Sequence, residues 1–193
     1  MKPASQIKGQ KMNYVRLAVL LATILFSSEK LFAGVSVEPF VGYATGEWSQ
    51  AGNSAKQSGV DYGARLGWDF GRVRVGGNFL SGALKDNASP ISNTITPQDF
   101  GAYITGEFGR VSLRAAYNFS SQRTFAPSSG TNNTWKGTSF SAGFDVMLMS
   151  HLCLNLDYVA GTYDSLNGAS QTSKLTNSFF NIGISFPFGF GGK

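Results

Sequence analysis

The sequence has few of the residues that build disulfide frameworks and metal centres. Its 193 residues include one cysteine, Cys153, and one histidine, His151. A single cysteine excludes an intramolecular disulfide and a multi-cysteine zinc site, and a single histidine excludes a multi-histidine metal centre. Charged residues make up 14% of the chain and aromatic residues 13%. This composition excludes an intrinsically disordered chain, which would be charge-rich and aromatic-poor.

Long hydrophobic runs are also missing. The longest apolar run, Leu17–Phe26, has ten residues, whereas a membrane-spanning helix needs about 20. Lys11 and Arg16 precede this run, and a polar stretch follows it, which is the order of a secretory signal peptide. We therefore predict a signal peptide over residues 1–33.

The predicted signal peptide ends at Ala33, so that cleavage leaves Gly34 as the first residue of the mature chain. Met12 is an alternative start, and an N-terminal anchor helix or a buried core helix is an alternative interpretation of the apolar run. Five of the 16 basic side chains and one of the 11 acidic ones lie in this segment. Because the basic excess sits in the leader, the net charge of +5 does not indicate nucleic-acid binding.

Residues 34–193, the predicted mature domain, alternate between apolar and polar side chains with a period of two, which is typical of β-strands. In Arg110–Phe119, for example, Val111, Leu113 and Tyr117 share one face and Arg114 and Asn118 the other. Eight segments show this pattern: Val35–Tyr43, Val60–Phe70, Arg72–Leu80, Asp99–Phe108, Arg110–Phe119, Phe140–Leu148, Leu152–Val159 and Phe180–Phe188. Most have about the 9–11 residues of a tilted transmembrane strand.

The connections between these segments alternate in length. Three are tight turns, and four are long and polar: Ala44–Gly59, Ser81–Gln98, Ser120–Gly137 and Ala160–Asn177. One end of the molecule would therefore carry short turns and the other four long loops, as in an up-and-down β-barrel. The long loops would face outward, and their aromatic side chains could contact an external ligand, but local loop packing is the favoured interpretation of these four: Trp48, Phe125, Trp135 and Tyr163.

Charge placement indicates which face meets lipid. All charges within the eight segments fall on the polar face, and the opposite face has none. A Lys or Arg on a lipid face costs about 2–4 kcal/mol at the bilayer midplane, so the uncharged face is the predicted outer surface. Buried charges must be paired, and we predict an ion-pair and hydrogen-bond network that plugs the lumen: Glu38, Arg65, Arg74, Glu107, Arg114, Asp145 and Asp157.

The mature chain resembles the small outer-membrane β-barrel family of the OmpA/OmpX type. The segment Asn181–Phe188 looks like the β-signal that the barrel-assembly machinery reads in the last strand, with Asn181, Gly183, Phe186 and Phe188 at its marked positions. The resemblance implies an eight-stranded antiparallel transmembrane barrel in the bacterial outer membrane. The implied partners are outer-membrane lipid and lipopolysaccharide, and the secretion translocon and assembly machinery during biogenesis.

The sequence offers little catalytic chemistry. Nothing resembles a P-loop or a dinucleotide fingerprint, and we expect no cofactor. His151 falls at a short turn without a serine at the spacing of lipid A deacylases, and Cys153 has no evident activating partner. The predicted function is a non-enzymatic outer-membrane barrel with a structural or surface-interaction role. The alternatives are a narrow channel for ions or small solutes, a lipid A-modifying enzyme, and a secreted soluble lipocalin-like barrel.

Overall fold

Nine antiparallel strands make up the computed structural model, which describes residues 33–87, 92–128 and 130–190. The predicted leader lies outside the described residues except for Ala33. The strands are β1 Ala33–Gln50, β2 Asn53–Phe70, β3 Val73–Asp86, β4 Asn93–Phe108, β5 Val111–Pro127, β6 Asn133–Met149, β7 Leu152–Leu166, β8 Ala169–Ser185 and β9 Phe188–Phe190. The described residues contain no helix long and apolar enough to cross a membrane.

The strands close into a barrel. Each strand from β2 to β7 pairs with its sequence neighbours, and β1 pairs with both β2 and β8. Glu38 lies opposite Arg65 on one side of β1, and Gly42 lies opposite Gly183 on the other. The prediction of an eight-stranded antiparallel up-and-down barrel is therefore confirmed.

The predicted last strand, Phe180–Phe188, is interrupted in the structure. β8 ends at Ser185, and the three-residue β9 pairs only with the first part of β1, where Phe188 lies opposite Val37. Pro187 falls in the gap, where its missing N–H group removes a donor from the ladder. The continuous strand predicted from alternation was therefore wrong at this point.

The prediction of four long loops was also wrong for most of their residues. The strands continue through these segments, so that β1 and β2 are joined only by Ala51 and Gly52, and β7 and β8 only by Asn167 and Gly168. All four turn residues have positive φ values, between 50° and 88°, as two-residue hairpin turns of type I′ require. We call this the long-hairpin end of the barrel and the opposite one the short-turn end.

A β-bulge at two residues of β5 changes which side chains of this strand point into the lumen. The register with both neighbouring strands shifts near Phe119 and Ser120, which is a β-bulge. Before the bulge the even-numbered Arg114 and Asn118 face the lumen, and after it the odd-numbered Arg123 and Phe125 do so. A bulge inserts one residue and reverses the alternation beyond it.

The outer surface carries an apolar band that crosses strands β1 to β8. Large side chains such as Leu113, Ile104 and Ile182 are about half exposed there (55%, 46% and 55%). The band ends toward the long hairpins at Tyr43, Val60, Phe79, Phe100, Phe119, Phe140, Tyr158 and Phe180. Outward-facing charges of the described strands lie beyond that edge: Glu47, Lys56, Lys85, Lys136, Asp164 and Lys174.

Inside the long-hairpin end the lumen is filled by an apolar cluster. Its members are Ala44, Leu84, Ile95, Phe125, Trp135, Val159, Tyr163, Leu175 and Phe179, all buried, with Trp48 and Leu166 packed against them. Trp48 meets Phe125 edge-on, with ring centroids 5.6 Å apart. The long segments are strands whose alternation turns these four aromatics into the lumen. The interpretation that they contact an external ligand was therefore wrong, and they pack locally against one another.

Candidate functional site: the barrel lumen

Arg114 on β5 is the centre of the charged part of the lumen. Its guanidinium lies 2.5 Å from a carboxylate oxygen of Asp145 on β6 and 2.7 Å from one of Asp157 on β7. The Arg114 side chain is only 3% exposed. Hydrogen bonds to charged groups at these distances are the strong class, so three strands are joined through one side chain.

A second set of ion pairs continues around the wall. Arg65 on β2 donates to Glu38 on β1 at 2.7 Å and lies 3.5 Å from Asp157. Arg74 on β3 reaches Glu38 at 3.3 Å and Glu107 on β4 at 3.2 Å. All seven residues of the predicted network thus line the lumen and make direct contacts with one another. We call them the lumen charge network.

The structure adds partners that sequence reasoning did not assign. Asp69 also pairs with Arg74, and Asn155 donates to Asp145 and, at 3.0 Å, to the hydroxyl of Ser185. Phe40 lies under Arg65, with the guanidinium carbon 4.4 Å from the ring centroid. Asp69 was recognisable as a polar-face charge, but strand pairing was needed to place it beside Arg74.

Glycines leave the space that these long side chains occupy. A Cβ atom on Gly143 would collide with the carboxylate of Asp157, and one on Gly42 would collide with the side chain of Asn181. Asn181 in turn donates to Asp61, a fully buried carboxylate. Small residues on the inner face therefore allow the charges to meet near the barrel axis.

A separate ion pair lies under the apolar cluster. Arg123 on β5 holds Asp99 on β4 through two hydrogen bonds, of 2.7 and 3.0 Å, and the two side chains are 0% and 1% exposed. Ser121 also donates to Asp99. The Arg123 guanidinium lies 5.2 Å from the ring centroid of Tyr163 and 5.7 Å from that of Phe179. This pair was missed because residue 123 fell in a predicted loop and the bulge reverses its face.

Tyr163 links the ion pair to the apolar cluster. Its ring is fully buried, and its hydroxyl lies 3.1 Å from the Ser121 oxygen. Burial raises the pKa of Tyr163 to about 12, because the phenolate would lose its hydration. The hydroxyl therefore stays protonated at physiological pH.

The remaining predicted site residues lie away from this centre. Asn181 and Gly183 face the lumen, whereas Phe186 and Phe188 face outward and are 37% and 41% exposed. Gly34 lies opposite Asp69 near the start of β1. Recognition by the assembly machinery and cleavage after Ala33 stay predictions.

The two reactive side chains lie near the short-turn end. The Nδ1 atom of the exposed His151 lies 3.2 Å from the carbonyl oxygen of Pro187, and its ring stacks on Phe188 at 5.9 Å. Cys153 is buried in the lumen wall. Among the described residues no group of three or more His, Cys, Asp or Glu side chains could hold a metal ion.

Comparison with solved structures shows which proteins share this architecture. The attachment invasion locus protein Ail of Yersinia pestis, in complex with the heparin analogue sucrose octasulfate, is 17% identical, with a TM-score of 0.56 over 80% of this chain and 99% of that one. Neisserial surface protein A has the same identity and TM-score over 80% and 97%. OprG of Pseudomonas aeruginosa is 16% identical, with a TM-score of 0.50 over 81% and 97%.

The fold is that of a small outer-membrane β-barrel. At these identities the comparison establishes the architecture alone. The outer band without charged side chains agrees with that architecture, because a charged side chain is costly on a wall that faces lipid. No protein-family model matches the chain, and no curated protein matches it. The molecule is thus a closed eight-stranded barrel with this fold, whose lumen is lined by ion pairs and an apolar cluster.

Proposed function

We propose that the protein is a non-enzymatic and non-conducting barrel of the bacterial outer membrane with a structural or surface-interaction role. The observation that carries this proposal is the filling of the lumen by two successive layers. The lumen charge network occupies one layer, and the apolar cluster occupies the next. Eight strands enclose an interior that side chains can fill, and Tyr163 and Phe179 in the apolar layer are only 0% and 1% exposed.

The orientation of the barrel is part of the proposal. The long hairpins would lie outside the cell and the short turns in the periplasm, because outer-membrane barrels have short periplasmic turns and longer external segments. The long-hairpin end carries the outward-facing lysines, which include Lys85 and Lys136. Those side chains would be available to an external ligand, whereas the aromatic side chains of the apolar cluster would not.

A narrow channel is the second candidate, since the charge network alone would be polar enough for water. The apolar cluster speaks against a channel because its buried side chains occupy the lumen at the long-hairpin end. A lipid A-modifying enzyme is less favoured: His151 stacks on Phe188 and approaches a backbone carbonyl, which is a structural environment for a histidine.

Two measurements on the purified protein test the proposal. In planar bilayers we expect no steady conductance, and a stable open channel would favour the channel alternative. In cell fractionation we expect the protein in the detergent-soluble outer-membrane fraction, with a gel mobility that shifts on boiling. Extraction in buffer without detergent would instead support a soluble barrel.

The biogenesis partners follow from the same proposal. We propose that residues 1–33 direct the chain to the secretion translocon and are removed, and that Asn181–Phe188 is read by the barrel-assembly machinery. Amino-terminal sequencing of the outer-membrane form should begin at Gly34. A mature chain that begins upstream of Leu17 would contradict the leader.

A further inference from the structure

An open groove crosses the outer surface of β7, β8, β1 and β2 just beyond the apolar band. Two directly paired rungs of side chains define it. The first rung consists of Tyr158, Phe180, Thr45 and Ser58, and the second of Ala160, Ser178, Glu47 and Lys56. The groove has a volume of about 400 Å³. It adjoins a second depression of about 260 Å³, which is lined by Ser178, Thr162 and Thr176.

The depth of the groove follows from a change in side-chain size between the rungs. Tyr158 and Phe180 pack together with ring centroids 4.9 Å apart and form an aromatic ledge. Ala160 and Ser178, directly above them, are too small to continue that surface. The result is a shelf with an aromatic floor and small or hydroxyl-bearing walls.

The position of the shelf matches the headgroup layer of a bilayer. Ser178 lies two residues beyond Phe180, the last large apolar residue on the outer face of β8. This spacing is about 5 Å along the membrane normal for a strand tilted by about 40°. The polar layer on each side of a bilayer is about 5–7 Å deep. A ligand in the groove would therefore be the headgroup of a lipid whose acyl chains run along the apolar band.

The lining favours a phosphorylated sugar over a simple phospholipid headgroup. The threonine and serine hydroxyls, together with the Glu47 carboxylate, offer hydrogen-bond partners to sugar hydroxyls, and aromatic ledges suit sugar rings. Lys56 ends the same rung and is exposed. Glu47 lies directly opposite Lys56, but no ion pair joins Lys56 to it or to another described residue, so the ammonium group can meet a phosphate.

We propose that this groove binds the phosphorylated sugar headgroup of an outer-leaflet glycolipid, with Lys56 on the phosphate and Ser178 and Thr45 beside the sugar. The proposal rests on the proposed function, because only the outer leaflet would present this lipid to the long-hairpin side. The family resemblance implies contact with lipopolysaccharide but names no residues for it, and the groove supplies them.

Native mass spectrometry of the detergent-purified protein with added bisphosphorylated lipid A tests the proposal. Wild-type protein should retain lipid A and bind dephosphorylated lipid A more weakly. Lys56→Glu should weaken retention by about tenfold, since each basic residue near an anionic lipid contributes about 1 kcal/mol and the reversal adds repulsion. Ser178→Trp should have a comparable effect by filling the shelf without changing charge.

Lys136→Glu is the matched control. Lys136 faces outward on β6 four residues beyond Phe140, as Lys56 does four residues beyond Val60, but it does not line the groove. Retention by this variant should equal that of wild type. Equal loss in all three variants, or no retention by wild type, would overturn the assignment. A heat-modifiable, non-conducting protein without retention would overturn this inference alone, whereas a conducting or buffer-soluble protein would overturn the proposed function.

Discussion

Arg114 is stable in the lumen because two carboxylates neutralise it. Its side chain is 3% exposed and joins Asp145 and Asp157. Removing one member of a buried ion pair costs more than the pair itself contributes, because the remaining charge is left in a low-dielectric site. Arg114→Met should therefore destabilise the barrel by about 3–5 kcal/mol.

Urea unfolding of the variant in detergent micelles, followed by tryptophan fluorescence, measures this loss. Arg110→Met is the control, because Arg110 is exposed at a short turn, and its effect should stay within about 0.5 kcal/mol. Equal midpoints for the two variants would mean that water, rather than the two carboxylates, compensates the Arg114 charge.

The Asp99–Arg123 pair allows a stricter test because both side chains are fully buried. Arg123→Met alone should cost about 3–5 kcal/mol, since it leaves the Asp99 carboxylate without its main partner. The double variant Asp99→Leu/Arg123→Met should be more stable than this single variant, because no charge is left unpaired and Ser121 still has Tyr163 within reach. A double variant less stable than the single one would contradict the ion-pair account.

The outer face of each strand changes from apolar to polar along its length. Their apolar segments form the band, and the same strands continue into hairpins whose outer faces are polar. Ile104, in the middle of the β4 segment of the band, is 46% exposed, whereas Thr94 on the same strand faces outward beyond it. Ile104→Arg should cost about 2–4 kcal/mol, and Thr94→Arg close to zero.

Folding titrations of these two variants in lipid vesicles check the depth dependence. Similar small costs at both positions would mean that β4 does not cross the hydrocarbon where the band places it.

The band segments were predictable from sequence because alternation and the absence of charge act together there. Arg114 and Asp157 could be placed in the lumen from the period of two alone. The hairpin extensions were not predictable in the same way. Their outer faces carry Ser, Thr, Gln and Lys, as loops do, so the alternation of Trp135 or Tyr163 with polar neighbours gave no clear strand signal. The bulge at Phe119 and Ser120 then reversed the face of Arg123, which no simple period reproduces.

The lumen is filled by two successive layers of side chains, the lumen charge network and the apolar cluster. The charge network could admit water on losing one residue, but the apolar cluster beyond it would still fill the lumen. Arg114→Met should therefore remain silent in planar bilayers, like the wild type. A steady current from this variant would show that the ion pairs alone hold the lumen closed and that the apolar cluster is permeable.

The central claim is that lipid surrounds the apolar band while the charges stay inside. Site-directed spin labelling tests it most directly, in a Cys153→Ser background with single cysteines at Ile104, Ile182 and Thr94. In lipid vesicles the labels at 104 and 182 should collide with oxygen and be shielded from a polar nickel complex, and the label at 94 should show the reverse. Equal access of the nickel complex to all three positions would contradict the account.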